Sequence, residues 1–555
     1  MRATRPTSHA TTRGTPAIAG RESVLGSMAV ALVAFVVYAA LCPPVSGMGD
    51  GSEFTLVLAT NGVAHPTGYP LYTLFGHAFG TLLHAFGVSW PLATNLWSAV
   101  GAAIAVGFLF ALASRLTRTV VDADAATRFL AALIPVALFA FQPILLLDAS
   151  AGEVNSWSAA WACLAGYTFV CLQGALESGA GGAPERDRRG ALIWGLVCGA
   201  GLAHHLTSVM VFAPLTIALV ATLARRHRAV MPLLLAAALA ACVPVAGYGI
   251  IAWRAWHPAV VQWPWLAPGL ASVRDHITGE QYRQFIGYFA PAEEQRALID
   301  HIALPFLGVG LVALLAGLLR ARDAGTRAIW AALTTATVLV VAFTFRYGVP
   351  DPAPYFVPAM AFGAAAVAPA LASLAAPRVG GTALRLGVAA LAVLALVVPW
   401  VRAAATRQHE IDGFERLIRS MWSAVPPDTA IVFWPDDRYI RLLEYQILRG
   451  EKPALLVLCP DLLLEDQTRE RMRQRFGVDP LEGHPIPSIA PGSPDADQRI
   501  RRYFKQVIRS LNERIRPPVI MFDPSVPMVQ QQRKPWESAG FQGNPAMLPG
   551  HPPER

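Results

Sequence analysis

Two carboxylates, Asp50 and Glu53, sit three residues apart in Gly49-Asp50-Gly51-Ser52-Glu53-Phe54, directly after the first hydrophobic segment. Twelve residues after Glu53 comes His65-Pro66-Thr67-Gly68-Tyr69-Pro70-Leu71-Tyr72. Between Pro43 and Pro66 no Lys or Arg neutralises the pair. On a helix the two carboxylates share a face. Near a bilayer, a partly desolvated carboxylate has a raised pKa and can serve as a general base. The same spacing fits a helix capping box, with Asp50 as the cap and Glu53 at the third helical position; the two uses can coexist. In the second run, two prolines fix φ and Gly68 permits a sharp turn, so His65 and Tyr69 are held in defined positions. That run also reads as a turn into an interfacial helix with a Tyr anchor.

Other polar residues mark the same side of the chain. Asp148 and Glu153 flank a second turn, and read as solvated loop residues or as substrate contacts. His204 and His205 could contact an anionic ligand; they lack the spaced partners of a metal site. Arg346 is the single basic residue in its short loop. It could clamp a lipid phosphate in a bidentate way, pair with Asp351, or snorkel to the interface. The aromatics of the long 254–302 loop, Trp263, Tyr282 and Phe285 among them, could stack on a sugar or anchor the loop to the interface. The six cysteines form no CxxC pair and read as small core residues. No cofactor is expected; no ligand cluster argues for a metal, and the need for a divalent ion is left open by the sequence.

These residues need a frame, and composition says which. Of 555 residues, 54% are hydrophobic and only 15% charged, with mean hydropathy +0.43; a soluble chain carries about 25% charged residues. Repeated apolar runs near 20 residues mean a polytopic helical membrane protein. Eleven spans are expected, at 24–42, 91–113, 128–148, 156–174, 190–203, 206–224, 229–253, 303–320, 328–345, 356–376 and 383–403. Residues 67–88 are apolar but hold Pro70, Gly76, His77, Gly80 and His84, which suits a surface helix.

Charge fixes the direction. The net charge of +8 is almost wholly arginine. With 67–88 on the surface, arginines cluster in alternate loops, at 115–128, 186–189, 225–228, 320–327 and 378–385, while the opposite short loops hold only Arg346. By the positive-inside rule the N-terminal tail, residues 1–23, is cytoplasmic. The first loop (43–90), the 254–302 loop and everything after 403 then face outward, which in a bacterial inner membrane is the periplasm. Arginines in short loops argue against nucleic-acid binding.

After the membrane domain (24–403), residues 404–522 read as a small outward α/β domain. Runs at 430–434, 454–458 and 518–522 have strand length, and Arg438–Arg449 carries apolar residues at helical spacing. No Gly-rich phosphate loop follows the first run. Residues 523–555 are rich in Pro, Gln and Gly and form a tail.

Taken in order, these motifs resemble the protein O-mannosyltransferase-like membrane family. The order is one span, Gly-Asp-Gly-Ser-Glu-Phe, Gly-Val-Ala-His-Pro-Thr-Gly-Tyr-Pro-Leu-Tyr at 62–72, Asn95, Gly-Glu-Val-Asn at 152–155, Gly-Leu-Ala-His-His-Leu-Thr at 201–207 and Gln-Tyr-Arg at 281–283. Thr67 stands where members usually carry a second proline, and Asn155 where they often carry Tyr. The family is similar to the GT-C glycosyltransferases. The resemblance implies a mainly α, GT-C-like membrane fold and a polyprenyl-phosphate sugar donor, mannose-like. It implies Asp50 as the base that deprotonates an acceptor hydroxyl, with inversion at the anomeric carbon, and Glu53 as its orienting partner. His65, Tyr69, Asn95, Glu153, His204, His205 and Arg346 are then the expected donor and substrate contacts. The acceptor would be a protein or an envelope glycan. A transporter of a lipid-linked substrate and a non-catalytic assembly protein are the alternatives.

Overall fold

The computed structural model describes residues 21–47, 50–121, 124–178, 184–375, 382–434, 438–487, 496–515 and 519–521. The expected tail at 523–555 and most of the expected N-terminal tail lie outside these residues. The protein is a polytopic helical membrane protein with a small α/β unit at its C-terminal end. All eleven expected spans are helical. The first half holds α1 (Arg21–Leu41), α2 (Gly51–Thr60), α3 (Pro70–Ala85), α4 (Trp90–Val120), α5 (Ala125–Phe141), α6 (Pro143–Ala149), α7 (Asn155–Glu177), α8 (Pro184–His204) and α9 (Val209–Arg225). It continues through α10 (Val230–Val245) and α11 (Tyr248–Trp256), then α12 (Leu270–Thr278) and α13 (Glu293–Leu298) in the long loop. The membrane part closes with α14 (Leu304–Arg320), α15 (Ala324–Thr344), α16 (Val357–Ala375) and α17 (Thr382–Ala424).

Two expected spans are bent. α5 and α6 meet at 65°, where Pro143 starts α6 and the Gln142 side chain caps it. α10 and α11 meet at 41°, just past Pro244. Counting each bent pair once, ten segments among the described residues are long and apolar enough to cross a bilayer. The eleventh, α8, opens with Glu185, Arg186, Asp187, Arg188 and Arg189, which lower its hydropathy. α3 has 16 residues, so it reaches about 24 Å and falls short of the ~30 Å apolar core.

Small residues bring α8 against α10. A Cβ on Gly195 would collide with the carbonyl of Ala237, and one on Gly199 with that of Ala241. This is the small-xxx-small packing of membrane helices, which association in lipid favours because backbones approach closely.

The C-terminal unit contains β1 (Ile431–Phe433), α18 (Arg438–Arg449), β2 (Leu456–Leu458), α19 (Asp466–Phe476), α20 (Ala496–Arg514) and β3 (Val519–Met521). Its three strands are parallel, in the order β2-β1-β3. α17 does not end at the membrane. It continues into this unit, where Ile418, Met421 and Trp422 join the core with Tyr445 and Phe433. The buried Arg441 pairs with Glu444 and with Glu415 of α17, so its charge is compensated as burial requires.

α2 is held on two faces. Phe54, Val57 and Leu58 pack against Tyr69, Tyr72 and Trp97 on the membrane side, while Leu56 belongs to the core of the C-terminal unit.

Gly195→Leu is expected to destabilise the protein by about 1–3 kcal/mol, the usual cost of overpacking. Gly249→Ala, at a position with open space around it, is expected to be neutral. Thermal melts of the two variants in detergent separate these outcomes.

Candidate active site

Glu53 is buried at 7% exposure. Its carboxylate does not complete a capping box. Oε1 accepts the backbone N–H of His65 at 2.6 Å, and Oε2 lies 2.9 Å from Nδ1 of the same residue. Asp50 occupies the N-cap position of α2 but makes no side-chain cap bond. Its carboxylate is left for other work, 3.8 Å from His65 Nε2.

A carboxylate is an acceptor only. Glu53 therefore sets the ring of His65 with its proton on Nδ1, leaving the Nε2 lone pair toward Asp50 when the ring is neutral. The Tyr69 hydroxyl lies 3.1 Å from that Nε2. Tyr69 is a non-glycine residue in the left-handed region, at φ 43°. Such strain persists only where the surroundings enforce it. Gly68, at φ 81°, sits where any side chain would meet Ile251 and His276.

The Asp50 side chain is 39% exposed, and the space it faces is a cavity. Removal from bulk water raises its pKa above the ordinary carboxylate value; His65 opposes the rise and Glu53 adds to it.

Two cavities meet at this point. The larger, about 970 Å³, is walled by Asp50, Glu53, His65, Trp263, His276 and Tyr282. The second, about 420 Å³, has Asp50, His65, Tyr69, His205, Tyr282 and Tyr355 on its wall. It reaches Met210 of α9 and Phe343 of α15, so one end is apolar and lies among the spans. Asp50, His65 and Tyr282 line both.

The remaining expected residues divide. His205 lines the second cavity. Its Nδ1 accepts the N–H of Thr207 at 3.1 Å, so the neutral ring carries its proton on Nε2. Burial, then His204 and His65, hold its pKa down at about 3, which keeps the ring neutral. Glu153 stands close enough for Asp50 to raise its pKa; burial comes first, then Asp50, Asp148 and Asp351. Its backbone is gripped by Ser98, at 2.8 and 3.0 Å.

Three expected contacts sit elsewhere. Asn95 is fully buried and donates to the carbonyls of Pro43 and Val45, at 2.9 and 3.0 Å. It pins the start of the first loop and does not line either cavity. His204 Nε2 bonds Ser158 and the Val154 carbonyl, tying α8 to α7. Arg346 is exposed and on neither cavity wall, while its neighbour Tyr347 and the distant Arg283 line the second one. Chain turning explains this: at the end of α15 successive residues point to different sides.

Sequence reasoning passed over His276, a lone histidine in a long loop with no spacing signal. It lines the larger cavity, and its Nε2 has no hydrogen-bond partner among the described residues. Burial, then His65, lower its pKa to about 4. Tyr347 was equally silent, and Arg283 stood out only as part of the Gln-Tyr-Arg run; the fold brings both to the cavity that Asp50 lines.

One oxygen each of Asp50 and Glu53 and one nitrogen of His65 lie within 4.8 Å of one another. An open three-ligand metal site has this composition. The hydrogen bonds point to another use: both Glu53 oxygens already accept N–H groups, and both ring nitrogens have neighbours at 2.9 and 3.1 Å.

Residues 50–229 match the model of the protein O-mannosyl-transferase TMEM260 N-terminal domain. The family read from the motifs is the family matched. The match begins at Asp50 and takes in His65, Tyr69, Glu153 and His205. No curated protein matches the chain. Among solved structures, the chain is similar to the oligosaccharyltransferase of Archaeoglobus fulgidus in the apo form, at 14% identity and TM-score 0.45, over 78% of this chain. It spans 65% of that protein's length. It is also similar to ArnT from Cupriavidus metallidurans bound to undecaprenyl phosphate, at 12% identity and TM-score 0.47, over 82% of this chain and 95% of that one.

The raised pKa of Asp50 has a stability consequence. Unfolded, it titrates near the ordinary carboxylate value of about 3.9. Between that value and its higher folded value, the folded chain binds more protons, so stability falls as pH rises and stays lower above both. Asp50→Asn is therefore expected to melt at a higher temperature than the parent at pH 7. The difference should close below about pH 4, as thermal melts at both pH values will reveal.

Proposed function

We propose that the protein is an inverting membrane glycosyltransferase of GT-C type, with Asp50 as its general base. The observation that carries this reading is the position of Asp50. It stands where a cavity open to polar residues meets a cavity that runs among the spans. The donor is a polyprenyl-phosphate sugar, mannose-like. Its lipid would lie toward Met210 and Phe343, and its sugar phosphate toward Tyr282, Arg283 and Tyr347. The acceptor hydroxyl enters from the larger cavity.

Asp50 takes the hydroxyl proton as the oxygen attacks the anomeric carbon. The bond from that carbon to the phosphate oxygen breaks, and its electron pair leaves on the phosphate. Attack opposite the leaving group inverts the carbon. The Nε2–H of neutral His205 and the Tyr282 hydroxyl are donors placed to stabilise the phosphate charge as it develops. Arg283, in an exposed pair with Glu280 at 3.1 Å, adds a positive charge at the rim. Glu53 and His65 orient the base. Positioned proton transfer contributes roughly 10²–10⁴-fold. The arginine distribution supports an outward-facing site, periplasmic in a bacterium.

The test follows transfer of radiolabelled mannose from a polyprenyl-phosphate donor into protein and glycan fractions. Asp50→Asn is expected to insert normally and to lose at least about 10²-fold in transfer. Full transfer by that variant would remove Asp50 as the base. In the parent, transfer should rise with pH through the raised pKa of Asp50, because the base works only when ionised, and the rise should lie above the ordinary carboxylate range. With both Glu53 oxygens and both His65 ring nitrogens already in hydrogen-bond contact, chelation with EDTA is expected to leave transfer unchanged; its loss, restored by added Mn²⁺, would make the Asp50–Glu53–His65 trio a metal site.

A further inference from the structure

A groove of about 250 Å³ separates the C-terminal unit from the 258–264 segment. One wall is β2 with Leu443 and Ile447 of α18; the other is Pro258–Pro264. Glu53 and Trp263 line both this groove and the larger active-site cavity. The groove thus adjoins the candidate active site at these two residues.

Both walls offer the same chemistry. β2 is an edge strand, paired only with β1 among the described residues. In that ladder Leu456 N–H donates to the Ala430 carbonyl, and the Leu458 carbonyl accepts from Trp434 N–H. Successive peptide units of a strand point to opposite sides. The N–H and C=O of Val457 therefore point away from β1, into the groove that Val457 lines. Across the groove, Val63 donates to the Val261 carbonyl and accepts from Trp263 N–H. By the same alternation the N–H and C=O of Gln262 point away from Val63. Neither backbone unit pairs with another described residue.

We propose that this groove receives an extended polypeptide, which adds as a strand between Val457 and Gln262 and carries a Ser or Thr hydroxyl past Trp263 toward Asp50. Strand addition to an exposed edge is a general mode of peptide recognition. One residue of the incoming chain would pair with Val457 and its neighbour with Gln262, since their polar groups face opposite ways. The partly exposed apolar side chains of Leu443 and Ile447 would take side chains, and the Glu53–Trp263 end would admit the hydroxyl. This inference names the acceptor for the transfer proposed above and rests on that reading for its chemistry, though not for its binding.

The probe is a fluorescein-labelled peptide, Lys-Thr-Val-Ser-Val-Thr-Val-Lys, with the full chain in nanodiscs, read by polarisation. A copy with N-methyl groups on alternate peptide nitrogens leaves the protein untouched and removes donors from the ligand. Val457→Pro removes the wall donor and spares the bonds to β1. Each change is expected to weaken binding at least tenfold. If the N-methylated peptide binds as tightly as its parent, or if a polyprenyl-linked glycan binds and the peptide does not, the groove is not a strand-addition site. A peptide bound in this way but never glycosylated would retain the groove and overturn the transferase reading. Transfer to the peptide, unaffected by N-methylation and by Val457→Pro, would do the reverse.

Discussion

The site depends on one side chain accepting two bonds from one residue. Glu53 takes the backbone N–H and the ring Nδ1–H of His65, across twelve residues of chain. That pair of bonds closes the first loop onto α2. It also fixes the tautomer of the ring and so decides what faces Asp50. Without it, the His-Pro-Thr-Gly-Tyr-Pro turn has no fixed distance from the helix that carries the base. A charged acceptor strengthens both bonds, and burial at 7–8% exposure for both residues keeps water from competing.

The reading of the sequence reached the frame more fully than the site. Apolar runs located the helices because length and hydropathy act locally. The carboxylate loop was legible because an acidic pair without nearby cations is uncommon beside a membrane. The role of Glu53 was only half legible. Spacing alone allowed a capping box, and the rigid His65 turn outcompetes the helix N-terminus for its carboxylate. Asn95 reads as a contact within a motif, yet its amide serves the carbonyls of Pro43 and Val45. His276 and Tyr347 carried no local signal and Arg283 only its place in the Gln-Tyr-Arg run, because it takes the folding of the 254–302 loop and the turn after α15 to bring them to the cavities that Asp50 lines.

α2 shows why the membrane part and the C-terminal unit are one machine. It has ten residues, too few for a helix to be stable by itself. Its stability comes from packing on both faces. The membrane side supplies Tyr69, Tyr72 and Trp97; the other side supplies the core around Leu56. A helix that borrows its stability from two partners reports on both, so disturbance of either reaches Asp50 and Glu53.

α17 runs for 43 residues with Pro399 inside it, a contour of about 65 Å at 1.5 Å per residue. It begins among the spans and ends inside the C-terminal core. Such a rod acts as a ruler and a key. Each residue added between them would lift the sheet by about 1.5 Å and turn it by about 100°. Length and phase are therefore linked, and no single-residue change can alter one alone. The height at which this domain meets the first outward helix is thereby set by counting residues, with the helix as the scale.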